Sequence, residues 1–249
     1  MLCLPQDSKK ISVALLTSGG VESCVLVSQL ITQFKAVHPV YVRFGLSWET
    51  VEQFHLRRFL EQIKNENLHE LTTLQMPVSD MYGEHWSTTG NNVPDASTAD
   101  DAVYLPGRNL LFLSKLSVWC ALNSVDSIAM GSLASNPFSD ASKAFVDSMQ
   151  QTVSMALGRS VRILQPLSLM HKEDVVELSR NIPIELSFSC IKPVLVRGEG
   201  IHCGRCNKCF ERQKGFAMAN IPDKTMYAMM PPVDLGFSDA VAAHIVGAS

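Results

Sequence analysis

Four cysteines toward the end of the chain, Cys190, Cys203, Cys206 and Cys209, stand in the pattern C-x12-C-x2-C-x2-C. Thiolates stepped this closely suit a tetrahedral Zn²⁺ ion, which takes four soft or borderline ligands. A closed four-thiolate site keeps no open coordination position, so its role is architectural. Such sites are worth about 10–16 kcal/mol of folding free energy in isolated peptides. An iron–sulfur cluster uses the same run of cysteines and is the rival reading. Gly204 relaxes the backbone between two ligands, and Arg205 and Lys208 offset the charge of the thiolates. His202 is superfluous as a ligand and is expected on the surface. Cys3, Cys24 and Cys120 read as ordinary thiols, with Cys24 a weak nucleophile candidate.

A second chemical signal is the run LLTSGGVESC at residues 15–24. A short apolar strand ending in Ser18-Gly19-Gly20 and passing straight into a helix aims free backbone N–H groups at one point. Together with the helix dipole they form an anion site. The Ser18 and Ser23 hydroxyls add donors, and the glycines let the backbone approach a phosphate closely. The bland alternative is a tight turn that uses glycine for conformation alone. Neither GxxxxGK[ST] nor GxGxxG is present, so this is not one of those two phosphate motifs.

These residues need elements to hold them, and the chain alternates short apolar runs with helical stretches, as βαβ units do. Strands are expected at Ile11–Thr17, Val40–Phe44, Leu68–Met76, Asp126–Met130 and Val161–Leu164. Helices are expected at Val21 to about Phe34, Glu49–Lys64, Leu110–Asn123, Ser139–Leu157 and His171–Arg180. In the second helix Val51, Phe54, Phe59, Leu60 and Ile63 should share the buried face. The third is apolar enough to be nearly buried. Residues 77–106 read as one long irregular segment, functional or mobile, in which Trp86, Asn91 and Asn92 close over a substrate or Trp86 packs in the core. The fold class is α/β, a doubly wound parallel five-stranded sheet of Rossmann-like kind with a small C-terminal zinc-binding helical region. Residues 1–182 form the main domain and 183–249 the zinc-binding region; the tail after Met226, with Pro231-Pro232, is peripheral.

With 249 residues, 46% hydrophobic and 18% charged, the chain can bury a core without disulfides. Its seven cysteines and the lack of a signal-like start point to a cytoplasmic protein. No run is long enough for a membrane span. A net charge of −3 gives no support to tight nonspecific nucleic-acid binding.

SGGVES resembles the SGGxDS signature of PP-loop ATP pyrophosphatases, of the adenine nucleotide alpha hydrolase-like fold, which cleave ATP between its α and β phosphates. That resemblance implies that Ser18, Gly19, Gly20, Glu22 and Ser23 bind the nucleotide and that Glu22, standing where the family has Asp, helps organise Mg²⁺. Taken with YLPGRNLLFL and SC…HCGRCNKC, from about residue 11 to 216, the chain is similar to the 7-cyano-7-deazaguanine synthase family. The resemblance implies ATP, Mg²⁺ and Zn²⁺ as cofactors and 7-carboxy-7-deazaguanine and ammonia as substrates. The carboxylate would be adenylated, ammonia would displace AMP to give an amide, and a second activation would yield the nitrile. It also implies a possible homodimer and no membrane or nucleic-acid partner.

Residue by residue, Arg108 and Asn109 match the family's P-G-R-N turn beside the crevice, where Arg108 holds phosphate or carboxylate; the alternative is a structural arginine, with Asn109 capping the next helix. Lys172 resembles the lysine that reaches phosphates, or is an exposed helix-start lysine. Asp140 lines up with the aspartate of a Y-P-D-C-R stretch whose Cys and Arg are here Ala141 and Ser142. The run SLASNPFSD at 132–140 is about two residues shorter than the family's. The departures concentrate where the base is read, so another 7-deazaguanine, a tRNA or a noncatalytic role stays open as the alternative.

Overall fold

The computed structural model describes residue 2 and residues 4–229, without the side chain of Asp100; Cys3 and Pro231-Pro232 lie outside the described residues. Five parallel strands form one sheet: β1 (Ser12–Leu16), β2 (Ala36–Arg43), β3 (Thr72–Gln75), β4 (Ser127–Ala129) and β5 (Arg162–Leu164). Their order is β3-β2-β1-β4-β5, so the chain winds outward first on one side of β1 and then on the other. The point where winding reverses lies between β1 and β4, and ligands of such sheets bind there.

Val13, Ala14 and Leu15 of β1 are fully buried because helices cover both faces of the sheet. Successive side chains on a strand point to opposite faces, and here Val13 and Leu15 enter one core while Ala14 enters the other. The first core is built with α1 (Val21–Leu30), α2 (Glu49–Gln62), α7 (Lys172–Glu177) and α8 (Asn207–Met218), through Leu26, Leu56, Phe59, Val175, Val176 and Phe216. Between α2 and α7 in the chain come α3 (Ser79–Tyr82), α4 (Trp86–Thr89), α5 (Arg108–Leu122) and α6 (Lys143–Leu157). Helices α5 and α6 build the second core through Leu113, Leu116, Val146 and Met149.

Several expectations are corrected. Phe54 is 47% exposed, and Leu56, Phe59 and Leu60 form the buried face of α2. That helix also buries Glu49, whose carboxylate accepts the main-chain N–H groups of Phe44 and, at 3.1 Å, Gly45. Helix α5 is amphipathic rather than nearly buried, with Leu110, Val118 and Leu122 exposed. Strand β2 starts four residues earlier than expected and contains Pro39. Val37 N–H and C=O both bond toward the β3 side, so by alternation Pro39's missing N–H faces the gap before β3 begins at Thr72, where no ladder bond is lost.

Residues 77–106 are not one irregular segment. They hold α3, α4 and a 3₁₀ turn at Asp100–Val103, and Trp86 stacks on Trp48 at 5.8 Å. The C-terminal region is not purely helical either. A hairpin of β6 (Val194–Val196) and β7 (Glu199–Ile201) precedes α8. Its turn sets Arg197 at φ 52° and Gly198 at φ 85°, the left-handed pair that suits a two-residue hairpin loop. Gly200 lies against Val51 of α2, so closely that a Cβ would sit 2.5 Å from its methyl carbon.

Candidate active site and metal centre

The glycine turn at residues 18–20 leaves β1 at the switch point. Gly19 has φ 84°, and a Cβ there would meet Leu56 Cβ at 3.2 Å, so both the dihedral and the space demand glycine. Cys24 N–H makes the first turn-closing bond of α1, to Gly20 C=O at 3.0 Å. The amides of Val21, Glu22 and Ser23 lie ahead of it, at the positive end of the helix. Ser23 braces the turn from within, accepting Gly19 N–H at 2.9 Å and donating to Gly20 C=O at 3.2 Å. Ser18 Oγ accepts Gly20 N–H at 3.3 Å. Phe188 N–H bonds Gly19 C=O at 2.7 Å, tying the C-terminal region to the turn. Cys24 is fully buried, and burial pushes its thiol well above its ordinary range, which removes it as a nucleophile.

Glu22 opens α1 beside Gly131, which follows β4 and whose Cβ, if present, would sit 3.3 Å from that of Glu22. Lys172, at the start of α7, bonds the Glu22 carboxylate and also Glu211 Oε1 at 3.1 Å. It is therefore not an exposed helix-start lysine. Burial disfavours its charge, but Glu22 and then Glu211 outweigh burial and raise its pKa well above the ordinary value. Lys208 Nζ holds the other Glu211 oxygen at 2.5 Å.

Arg108 and Asn109 begin α5. The N-cap is Gly107, at φ 72°, and not Asn109. Asp140 is buried, and its carboxylate accepts Asn109 N–H at 3.0 Å and Asn109 Nδ2–H at 3.3 Å. It thereby fixes the start of α5, and with it Arg108. The Arg108 guanidinium lies 5.4 Å from the Phe112 ring centre, and its charge is felt by Tyr41 and Glu52. Tyr41 donates its hydroxyl proton to Glu52, whose backbone and side chain border Gly19. Burial raises the Glu52 pKa to about 8; the Tyr41 bond and Arg108 oppose this, and Glu49 adds to it. Sequence spacing carried no signal for Glu52, Tyr41 or Glu211, because each meets the turn through a long-range contact.

The four cysteines are buried and bring their sulfurs within 4.8 Å of one another. Cys190 and Cys206 are 3.8 Å apart and Cys203 and Cys209 3.9 Å. A tetrahedron with metal–sulfur bonds of about 2.3 Å needs sulfurs about 3.8 Å apart. A cubane cluster puts each thiolate on a different iron and spreads the sulfurs further, so the cage suits a single ion. Main-chain N–H groups of Lys192 and Cys203 point at Cys190 Sγ, and those of Arg205 and Cys206 at Cys203 Sγ, all within 3.3–3.4 Å. Such donors stabilise thiolates.

His202 is buried, contrary to expectation. It packs on Phe188 and Tyr227 and accepts Ser189 N–H at 3.1 Å. Burial, with Arg212 nearby, drives its pKa well below the ordinary value, so it is neutral. Arg212, fully buried, donates to Thr225 Oγ1 and Ser187 Oγ at 2.8 Å and to Ile184 C=O at 3.1 Å. The segment before the crevice is laced to the cage: Asn207 N–H bonds Pro94 C=O at 3.0 Å, Ala96 N–H bonds Arg205 C=O at 3.1 Å, and Asp95 bridges Cys206.

A doubly wound parallel sheet with a glycine turn at its switch point, and four clustered cysteines that could hold a metal ion, define an α/β protein of Rossmann-like kind. The profile of the family described as "Queuosine biosynthesis protein QueC" matches residues 12–220, and the chain belongs to that family. The 7-cyano-7-deazaguanine synthase of Methanothermobacter thermautotrophicus is 27% identical over 223 residues, covering 84% of this chain and 96% of that protein. The one from Pyrococcus furiosus is 28% identical over 234 residues, covering 88% and 97%. Among solved structures, the U34-tRNA thiolase NcsA from Methanococcus maripaludis gives a TM-score of 0.42 at 16% identity, over 71% of this chain and 58% of that one. No helix among the described residues is long and apolar enough to cross a membrane.

Proposed function

We propose that this chain is an ATP-dependent C–N ligase that converts 7-carboxy-7-deazaguanine and ammonia to 7-cyano-7-deazaguanine. The observation that carries the reading is the family match over residues 12–220, with a phosphate turn at the switch point of the same stretch. In the first half-reaction a substrate carboxylate oxygen attacks the α-phosphorus of ATP, the bond to the bridging oxygen breaks, and pyrophosphate leaves. Ammonia then displaces AMP at the carbonyl carbon and loses a proton, giving the amide. The amide oxygen then attacks the α-phosphorus of a second ATP, a second pyrophosphate leaves, and loss of AMP with two protons gives the nitrile.

In this reading the amides at the head of α1 hold the departing pyrophosphate, and Ser18, Gly19, Gly20 and Ser23 shape the turn that presents them. Lys172 and Arg108 place positive charge at its mouth. Asp140 acts through Asn109 to position Arg108. A Mg²⁺ ion arriving with ATP would be held by the Glu22 carboxylate, a hard oxygen donor, and would neutralise phosphate charge. Cys190, Cys203, Cys206 and Cys209 hold Zn²⁺ as a structural ion. Residues 1–182 are the PP-loop domain and 183–249 the zinc-binding region packed on it. The protein works in the cytoplasm, alone or as a homodimer.

The test is incubation of the chain with Mg·ATP, ammonia and 7-carboxy-7-deazaguanine, followed by mass spectrometry. AMP and the nitrile are expected together. AMP at the level of a control lacking the base would overturn the proposal.

A further inference from the structure

Glu211 belongs to the helix that carries the last cage ligand, Cys209, yet its carboxylate reaches away from the cage to the Lys172 ammonium at 3.1 Å. Among the described residues Lys172 has one other carboxylate contact, Glu22, at the glycine turn. The side chains of Lys172, Glu22 and Glu211 are 14%, 21% and 30% exposed, so water screens these contacts only in part. The approach is built into the backbone as well. Gly215, one turn further along α8, leaves room for the Lys172 stem, and a Cβ there would stand 2.6 Å from Lys172 Cγ. Two contacts of α8 therefore set where the ammonium stands, one by charge and one by shape.

We propose that Glu211 is a positioning residue, which holds Lys172 at the mouth of the phosphate turn from the metal module's own helix. The inference rests on the reading that the turn binds a nucleotide. Lys172 holds Glu22 Oε1, and a divalent cation that took this oxygen would displace the ammonium from Glu22. When Mg·ATP engages Glu22, an ammonium tethered by Glu22 alone would lose its anchor. With Glu211 in place it keeps a counter-charge and stays within reach of the incoming phosphates. Two carboxylates of separate elements thus divide the work: Glu22 is released to the cation, and Glu211 retains the lysine. Through α8, the metal cage has a direct mechanical line to the nucleotide site.

The test is calorimetric titration of the metal-loaded chain with the magnesium complex of α,β-methylene ATP, which needs no acceptor and undergoes no cleavage at that bond. Glu211→Gln, similar in shape but uncharged, is expected to bind it about ten-fold more weakly, a loss of roughly one charged contact. Glu211→Asp keeps the charge and is expected to stay within about three-fold of the wild type. In a Lys172→Met background, Glu211→Gln should cost nothing further, since the residue acts through the lysine. Metal content is measured on every variant, and one ion per chain is expected throughout. The proposal is overturned if Glu211→Gln binds like the wild type, if its loss adds in full to that of Lys172→Met, or if Glu211→Asp is as weak as Glu211→Gln. A wild-type chain that binds the analogue but releases no AMP with the base would defeat the proposed substrate and leave this inference standing.

Discussion

The glycine turn and the cysteine cage both gather main-chain N–H groups, to opposite ends. In the cage the amides of Lys192, Cys203, Arg205 and Cys206 point inward at sulfurs that are themselves buried. All four sulfurs lie within 4.8 Å of one another, around one position. In the turn, the amides at the head of α1 lie ahead of its first internal bond, and the nearby charges are long side chains of Glu22, Lys172 and Glu211. On the proposed function, the site that exchanges its ligand is edged with long, partly exposed side chains, and the site that keeps its ion is enclosed by buried sulfurs and main chain.

The sharpest way to break this contrast is to open the cage. Cys206→Ser is expected to lose the bound ion and lower the melting temperature by about 10 °C or more, read by calorimetry with metal analysis. An unchanged melting temperature would show that the cage is not structural. At the turn the effect should fall on function and spare stability. Lys172→Met is expected to lower kcat/KM for ATP by about 100-fold, because it leaves Glu22 and Glu211 without their shared cation. If the loss appeared only in melting temperature, the turn would be a second scaffold.

The smallest effect concerns Glu52, beside Gly19 of the turn. Glu52 keeps its proton up to about pH 8 in the folded chain, against 4.5 for an ordinary carboxyl. Between those values the folded state holds a proton that the unfolded state has released, so stability falls as pH rises through the window. Glu52→Gln removes that dependence. Its denaturation midpoint should vary less between pH 5 and pH 8, and the wild type should lose about 1–2 kcal/mol more than the variant over that range. Parallel pH profiles would mean that Glu52 is ionised throughout.

What could be read in the residue string follows the same division. Cysteine spacing pointed to all four cage residues, because ligands that share one ion must lie close and here three are close in sequence. The glycine turn and the alternation of strands with helices were legible because both are local patterns of period and conformation. Contacts made at long range were not. His202 looked superfluous beside a cysteine, and nothing near it in sequence shows that Phe188 and Tyr227 enclose it. Phe54 was assigned to the core by hydrophobicity, while the buried anchor at the start of that helix is the charged Glu49. The β6–β7 hairpin was missed because its strands are three residues each, too short to show alternation, although Arg197-Gly198 marked the turn.

The stitching of Asp95 and its neighbours to Arg205–Asn207 runs from backbone to backbone. Peptide groups are common to every amino acid, so this seam is blind to side-chain identity. The side chains of residues 94–96 can therefore change while the moorings of this segment stay as they are.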